Sequence, residues 1–289
     1  MCEYLDTSID LDDPEIVSAM DDLPLWSAPF ALTLLEHIRL RPNIKVLDIG
    51  FGSGFPLLEL AQSLGPSCTV YGLDPCAAAH DRVRLKIKVF DIKNVKLIVG
   101  DASAMDFDDS TFDLIVSNLG VNNFSDPQKI FDECFRVAKP GAQIALTTNP
   151  KGHMKEFYEI FEKVLEELRL NHVMDNFVKH INHRMTVETI RGCLTRSGFR
   201  NITTFHDTFL LRYLNGSTFL RHPLIRYGFL DDWKKLVPLN DRQKAFRRLE
   251  DNLNQVASKA GELRLTVPIA CIDAEKLAAA LLTSQQSEE

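Results

Sequence analysis

Three glycines at alternate positions, Gly50, Gly52 and Gly54, follow the apolar run Val46-Leu-Asp-Ile49 and precede Pro56-Leu-Leu-Glu-Leu-Ala61. Glycine has no Cβ to hold a ligand off the backbone, and the start of the next helix offers unpaired N–H groups beside the turn. A nucleotide-like ligand is therefore expected across Gly50–Gly54. Three carboxylates accompany the turn: Asp48 just before it, Asp74 just over twenty residues beyond it, and Asp101 within Gly100-Asp-Ala102. An acid in the position of Asp74, at the end of the second strand, can accept both hydrogen bonds of a ribose diol; its plainer role is to cap the helix that follows.

The elements that must position these residues can be read from hydrophobic pattern. Short apolar runs predict strands at about 45–49, 68–73, 95–99, 112–117 and 143–147. Helical periodicity predicts helices at roughly 29–39, from near Pro56, at 76–90, and at Pro127 through Ala138 with Asp126 as cap. Strands that are apolar throughout and alternate with helices argue for a parallel sheet covered on both faces, with ligands outside the carboxyl ends of the strands. Gly50–Gly54, Asp74, Asp101 and Ser117–Asn123 all follow strand ends, so one rim should carry them.

Further along, Lys155–Leu170 has helical spacing, and His172–His183 reads as a polar connection. Thr186–Arg196 reads as a helix capped by Thr186 or Thr189 and closed by Gly198. Ile202–Tyr213 is expected to be a strand. Residues 214–262 read as helical, with Asn240-Asp-Arg-Gln243 resembling a reciprocal cap and Phe246, Leu249, Leu253 and Val256 forming a stripe. A strand over Leu263–Ile272 and an alanine-rich end helix follow. The expected division is an arm and leading helix (1–43), a ligand-binding α/β domain (44–213), a helical insertion acting as a lid (214–262), and a closing strand and helix (263–289).

Composition narrows the class. The chain is 45% hydrophobic and 25% charged over 289 residues, as in an ordinary globular protein. Its formal charge of −7, without a dense Lys or Arg run, makes nucleic acid a poor partner. Six scattered cysteines form no CxxC pair, which suggests a reducing, cytoplasmic setting. The early residues lack signal-peptide character, and no apolar run reaches membrane-spanning length.

A glycine turn of this kind serves NAD, FAD or another adenosine ligand. Two details oppose a dinucleotide. Position 55 is Phe and no glycine follows until Gly65, so the Gly-x-Gly-x-x-Gly spacing is absent. Asp48 would also repel a pyrophosphate, whereas it could stabilise a cation or organise loop amides.

With Val46-Leu-Asp-Ile-Gly-Phe-Gly-Ser-Gly54, Tyr71-Gly-Leu-Asp-Pro75, Gly100-Asp-Ala102, Phe112-Asp-Leu-Ile-Val-Ser117 and Arg136-Val-Ala-Lys-Pro-Gly141 in this order, the chain resembles the class I S-adenosylmethionine-dependent methyltransferases. The resemblance is to the small-molecule, UbiE/type 11-like group and covers about residues 44–148. It implies a Rossmann-like methyltransferase fold: a doubly wound, mostly parallel seven-stranded sheet with a late antiparallel strand and a helical insertion between the last two strands. It also implies S-adenosyl-L-methionine as cofactor.

Carried over by position, Gly50, Gly52 and Gly54 match the loop around the methionine part, and Asp48 the acid that organises that loop and the ammonium. Asp74, followed by Pro75, matches the ribose-binding acid. Asp101 matches the acidic side chain that in the family faces the adenine amino group, and Ala102 the residue whose backbone N–H is offered to the ring. Ser117 and Asn118 match the fourth-strand exit, near the transferable methyl.

A sulfonium methyl is already activated, so the protein chiefly aligns a nucleophile in line and excludes water; a base is needed only for a protonated acceptor. Catalytic candidates are therefore few: His153, Asn118 and Asn122. Substrate-side candidates are Trp26, Phe30, Asn123, His180, His183, Arg221 and Tyr227. Trp26 and Phe30 either cover the ligand or pack their helix, and Arg221-His222 either holds a carboxylate or forms a solvated face. His180 and His183 have no further ligand at metal-binding spacing.

The expected activity is methylation of a small organic acceptor with apolar or aromatic bulk, at oxygen first and at nitrogen or carbon otherwise, by a monomer or homodimer. An NAD-dependent oxidoreductase and a non-catalytic S-adenosylmethionine-binding protein are the alternatives.

Overall fold

A computed structural model describes residues 3–6, 10, 13–21, 25–182 and 184–278. His183, Cys2 and most of the expected end helix lie outside the described residues. The elements in order are α1 (Pro14–Asp21), α2 (Ser27–His37), β1 (Lys45–Ile49), α3 (Leu57–Leu64), β2 (Thr69–Asp74), α4 (Ala77–Val89), β3 (Val95–Val99), β4 (Phe112–Asn118), α5 (Pro127–Val137) and β5 (Ala138–Thr148). Then come α6 (Lys155–Glu167), α7 (Met174–Ile181), α8 (Val187–Ser197), β6 (Arg200–Tyr213), α9 (Gly216–Arg221), α10 (Pro223–Gly228), α11 (Leu230–Leu236), α12 (Leu239–Ala260) and β7 (Leu263–Glu275).

The seven strands form one sheet in the order β3-β2-β1-β4-β5-β7-β6. Strands β1 to β5 pair in parallel, and β7 runs antiparallel to β5, with Gln143 opposite Glu275 and Thr148 opposite Ala270. This is the doubly wound, mostly parallel sheet expected from the sequence, with α9–α12 inserted between the last two strands.

The chain forms two compact units. The larger consists of the described residues of Asp12–Asn149, Met185–His206 and Ile269–Glu289; the smaller is built mainly from Pro150–Arg184 and Asp207–Pro268. In the larger unit the two-residue period of the strands divides the core. Leu47, Ile49, Ile115 and Ile144 pack with Ile130, Phe131 and Cys134 of α5 and Ile190 and Leu194 of α8. Val46, Val70, Leu114 and Val116 pack instead with Leu34 of α2, Leu57 and Leu60 of α3, and Val83 of α4. Apolar residues face both ways because both faces are covered, which is why these strands show no polar alternation.

The smaller unit is held by aromatic side chains. Trp233 stacks on Phe157 with centroids 4.1 Å apart, and Phe161 meets Phe177 edge-on at 5.4 Å. Phe219, Leu220, Ile225 and Trp233 of the insertion are wholly buried, so their apolar character is accounted for by packing.

Three local readings are corrected. The stretch at 172–183 is not a simple connection: a short turn, Asn171–Val173, leads into α7, whose Phe177 anchors it. Helix α12 starts at Leu239, ahead of the expected cap, after Pro238 and with no side-chain cap. Its stripe runs through Phe246, Leu249 and Leu253 to Ala257, while Val256 is 42% exposed. Proline before the helix sets the chain direction without the capping box, and the 3.6-residue period favours 257 over 256 on the buried face. The cap of α8 is Thr186, whose Oγ1 accepts from the Thr189 N–H at 3.1 Å.

Candidate functional site

The carboxyl ends of β1, β2, β3 and β4 surround a cleft of about 430 Å³ in the larger unit. Its lining includes Gly50, Gly52, Asp74, Pro75, Asp101, Ala102 and Asn123, together with Gly120 and Phe124. The volume falls within the range of small-ligand and cofactor sites.

The glycine turn is built by close approach and left-handed backbone. Gly52 has φ +52°, and its N–H donates to Asp74 Oδ2 at 2.9 Å. The other oxygen, Oδ1, accepts from the Cys76 N–H at 2.9 Å. Asp74 thus holds the glycine turn and the bend that leads into α4 at once; it is not the helix cap, since the cap residue is Cys76 and no side chain bonds the first amides of α4. An ionised carboxylate has about four lone-pair sites, so two remain to accept a diol. Beneath it, His80 Nε2 lies 2.8 Å from the Asp74 carbonyl oxygen, and His80 is fully buried against the edge of Phe51. Sequence reading missed His80, although its position in the first turns of the helix after Asp74-Pro75 was a usable signal.

Asp48 is completely buried, and neither carboxylate oxygen has a hydrogen-bond partner. Burial, and secondarily the charge of Asp74, pushes its pKa up to about 8. An acid so placed favours a cationic group nearby and disfavours a second anion. Asp101 is the contrast: hydrogen bonds from Ser103 hold its carboxyl below the usual carboxylate range, and its Oδ1 accepts the Ser103 N–H at 2.7 Å.

The exit of β4 is tightly shaped. Leu119 adopts φ +63°, and a Cβ on Gly120 would stand 2.4 Å from Ser117 Oγ and 2.8 Å from Ile49 O. The Ser117 hydroxyl donates to Ile49 O at 2.8 Å. Asn118 accepts from Thr147 Oγ1 at 2.7 Å and donates to Ser27 O at 3.2 Å. Asn122 accepts from Thr148 Oγ1 at 2.6 Å and donates to Asn149 Oδ1 at 2.7 Å. Both amides are therefore engaged in joining the ends of β4 and β5. Thr147, Thr148 and Asn149 complete this network; their residue types alone did not single them out.

Gly54, with φ +107°, packs against Val83 and Leu58 and does not line the cleft. Phe30 is wholly buried in α2, with the Trp26 ring 5.9 Å away. The remaining candidates belong to the smaller unit. His153 is 3% exposed and meets Tyr158 edge-on at 5.6 Å. His180 Nε2 is 3.3 Å from the Tyr158 hydroxyl. Arg221 is ion-paired with Glu250 at 2.6 Å and lies over the Tyr4 ring. Tyr227 is partly buried on α10 beside Arg226. Among the described residues, no group of three or more His, Cys, Asp or Glu is placed to hold a metal ion.

The cleft fits S-adenosylmethionine better than a dinucleotide. Asp48, fully buried behind the turn with its pKa pushed up to about 8, is an acid that a cationic amino acid portion nearby would help to ionise. Asp74 retains acceptor capacity for a ribose, and the Gly100–Ala102 wall is free of bulky side chains. Fold and site together define a class I S-adenosylmethionine-dependent methyltransferase. The sequence agrees: residues 40–213 match the family described as "Methyltransferase domain", and the chain belongs to that family.

Among curated proteins, the demethylmenaquinone methyltransferase of Geobacillus is 30% identical over 127 residues, covering 44% of this chain and 54% of the relative. The chain thus spans about half the length of the curated relatives it matches. Among solved structures, the YcgJ protein of Bacillus subtilis superposes with a TM-score of 0.57 at 16% identity, covering 87% of this chain and all of that one. Phosphoethanolamine N-methyltransferase 2 of Haemonchus contortus gives a TM-score of 0.52 at 18% identity, over 88% of this chain and 53% of that one. These two similarities concern the fold.

Proposed function

We propose that the protein transfers a methyl group from S-adenosylmethionine to a small organic acceptor, with oxygen as the first choice of atom and an in-line displacement. The observation that carries the reading is the cleft lined by Gly50, Gly52, Asp74, Asp101 and Ala102, with buried Asp48 behind the turn. When bound, the cofactor supplies a methyl group already activated on a sulfonium sulfur. Asp74 accepts from the ribose diol while anchoring Gly52, and Asp101 and Ala102 recognise the adenine edge. Asp48 answers the charge of the amino acid portion. Gly54 serves by letting α3 and α4 pack close to the turn.

Little then remains for the protein's own side chains beyond holding the acceptor, shielding it from water and, for a protonated acceptor, taking up a proton. Asn118, Asn122 and Asn123 are assigned positioning roles at the exit of β4, and Trp26 contacts at its α2 side. The sequence-based candidates His153, His180 and Tyr227 lie in the smaller unit and are given no role at the cleft. The demethylmenaquinone methyltransferases among the relatives make a ring-bearing acceptor with apolar bulk the first class to assay.

Calorimetry with S-adenosylhomocysteine and with NAD tests the cofactor. Saturable binding of the former alone is expected; selective NAD binding would overturn the reading. Incubation with S-adenosylmethionine carrying a ¹³C methyl group, across phenolic, amine and activated-carbon acceptors, then reports the labelled atom by NMR. Label on nitrogen or carbon only would reject the O-methylation choice.

A further inference from the structure

Lys86, on α4, joins two parts of the larger unit that are distant in the chain. Its Nζ donates to the carbonyl oxygen of Ser53, inside the glycine turn, at 2.8 Å, and it is ion-paired with Asp21 at the end of α1. Asp21 also accepts from Arg82 Nε at 2.8 Å. Arg82 and Lys86 stand four residues apart, one helical turn, so both lie on the face of α4 that meets α1. The Asp21 side chain is only 10% exposed, which sets this group apart from a solvated surface pair. Burial alone would raise the Asp21 pKa, but hydrogen bonds from Lys86 and Arg82 bring it below the usual carboxylate value, so the acid is charged at neutral pH.

The contact with Ser53 bears on the shape of the turn. Gly52 and Gly54, at φ +52° and +107°, carry no side chain to restrict the backbone, so the conformation depends on what its peptide groups bond to. In a planar peptide the C=O and N–H point opposite ways. Lys86 fixes the Ser53 carbonyl, and the N–H of the same peptide, on Gly54, donates to Phe51 O at 2.9 Å. The Gly52 N–H is held by Asp74. The turn is thus pinned at two peptides, by an acid that lines the cleft and by a cation that does not.

We propose that Lys86 is a positioning residue for cofactor binding, held by Asp21 of α1 and acting through the Ser53 carbonyl to keep the glycine turn in its binding shape. Helix α1 then supports the cofactor site without lining the cleft: it braces the turn from behind. This role rests on reading Gly50–Gly54 as the cofactor turn, whereas the brace is a property of the ligand-free chain and is measured separately.

Calorimetry with S-adenosylhomocysteine reports the cleft, and hydrogen exchange of the Gly54 amide, followed by NMR in the ligand-free full chain, reports the turn. Lys86→Met, which keeps an apolar stem and removes the donor, should weaken S-adenosylhomocysteine binding about fivefold or more and speed Gly54 exchange relative to the amides of β1 and β4. Lys86→Arg, which keeps a charged donor, should fall between. Asp21→Asn should weaken binding in the wild-type background and add little to Lys86→Met, because Asp21 acts through Lys86.

Unchanged affinity or unchanged Gly54 exchange in folded Lys86→Met would overturn the role, as would an Asp21→Asn loss equally large in the Lys86→Met background. Should Lys86→Met fail to fold, the isosteric Asp21→Asn decides by the same two readouts. Absence of S-adenosylhomocysteine binding in the wild-type protein would overturn the cofactor reading, while Gly54 exchange still reports whether Lys86 braces the turn; firm binding that neither variant alters would remove the brace alone.

Discussion

Asp74 and Asp48 carry the same functional group and do opposite electrostatic work. Asp74 is a wired acceptor, holding the amides of Gly52 and Cys76. Asp74→Ala should weaken S-adenosylhomocysteine binding by about 1–3 kcal/mol in calorimetry, and Asp74→Asn, which keeps one acceptor oxygen, by less. Asp48 is an acid whose folded pKa, about 8, lies above its ordinary value of 3.8. The folded state therefore retains a proton that the unfolded chain releases, and stability falls as pH rises from about 4 to about 8. Asp48→Asn should accordingly raise the ligand-free melting temperature at pH 8, by the equivalent of a few kcal/mol, and leave it nearly unchanged at pH 4. Thermal unfolding across that range checks the sign; the same variant should bind S-adenosylhomocysteine more weakly. That these two acids flank a ligand was legible from spacing alone. That one of them is neutral was not, since neutrality comes from the surrounding core.

Elements set these residues in place through their ends. The β4 exit depends on Gly120, where a side chain has no room against Ser117 and Ile49 O. Gly120→Ala should lower the melting temperature and weaken S-adenosylhomocysteine binding together, because relief of the clash displaces the end of β1 that leads into the glycine turn. A variant with wild-type values for both would show that the loop yields without moving β1. Helix α8 gives a cleaner case. Thr186→Ala should cost about 0.5–2 kcal/mol in urea unfolding and Thr189→Ala clearly less, since Thr186 supplies the cap acceptor. Sequence pattern placed the helices and strands well where apolar periodicity was strong, and less well at their ends. Helix α12 is the instructive miss: Asn240-Asp-Arg-Gln243 carries cap chemistry, but the helix had already begun at Leu239 behind Pro238.

Across the whole molecule, strands β6 and β7 each run through both compact units, so neither unit is a continuous stretch of chain. Such sharing favours joint unfolding. In a Trp26→Phe variant, Trp233 fluorescence reports the smaller unit while far-UV circular dichroism reports all helices and strands. Coincident urea transitions are expected, and a separate earlier fluorescence transition would show that the smaller unit opens alone. The sequence-based boundaries at 213 and 262 followed the helical insertion, whereas packing draws residues 150–184 into the same unit.

The sequence by itself determined the sheet, the glycine turn and the acids around it, because strand periodicity, glycine spacing and loop position are local properties. Only the tertiary structure decided how each polar group is used. It engaged Asn118 and Asn122 with the end of β5, paired Arg221 with Glu250, placed His80 under Asp74, and left the Arg184 Nε buried without a partner. Those outcomes depend on which groups distant in the chain share the same small volume, and on how much water burial removes from them.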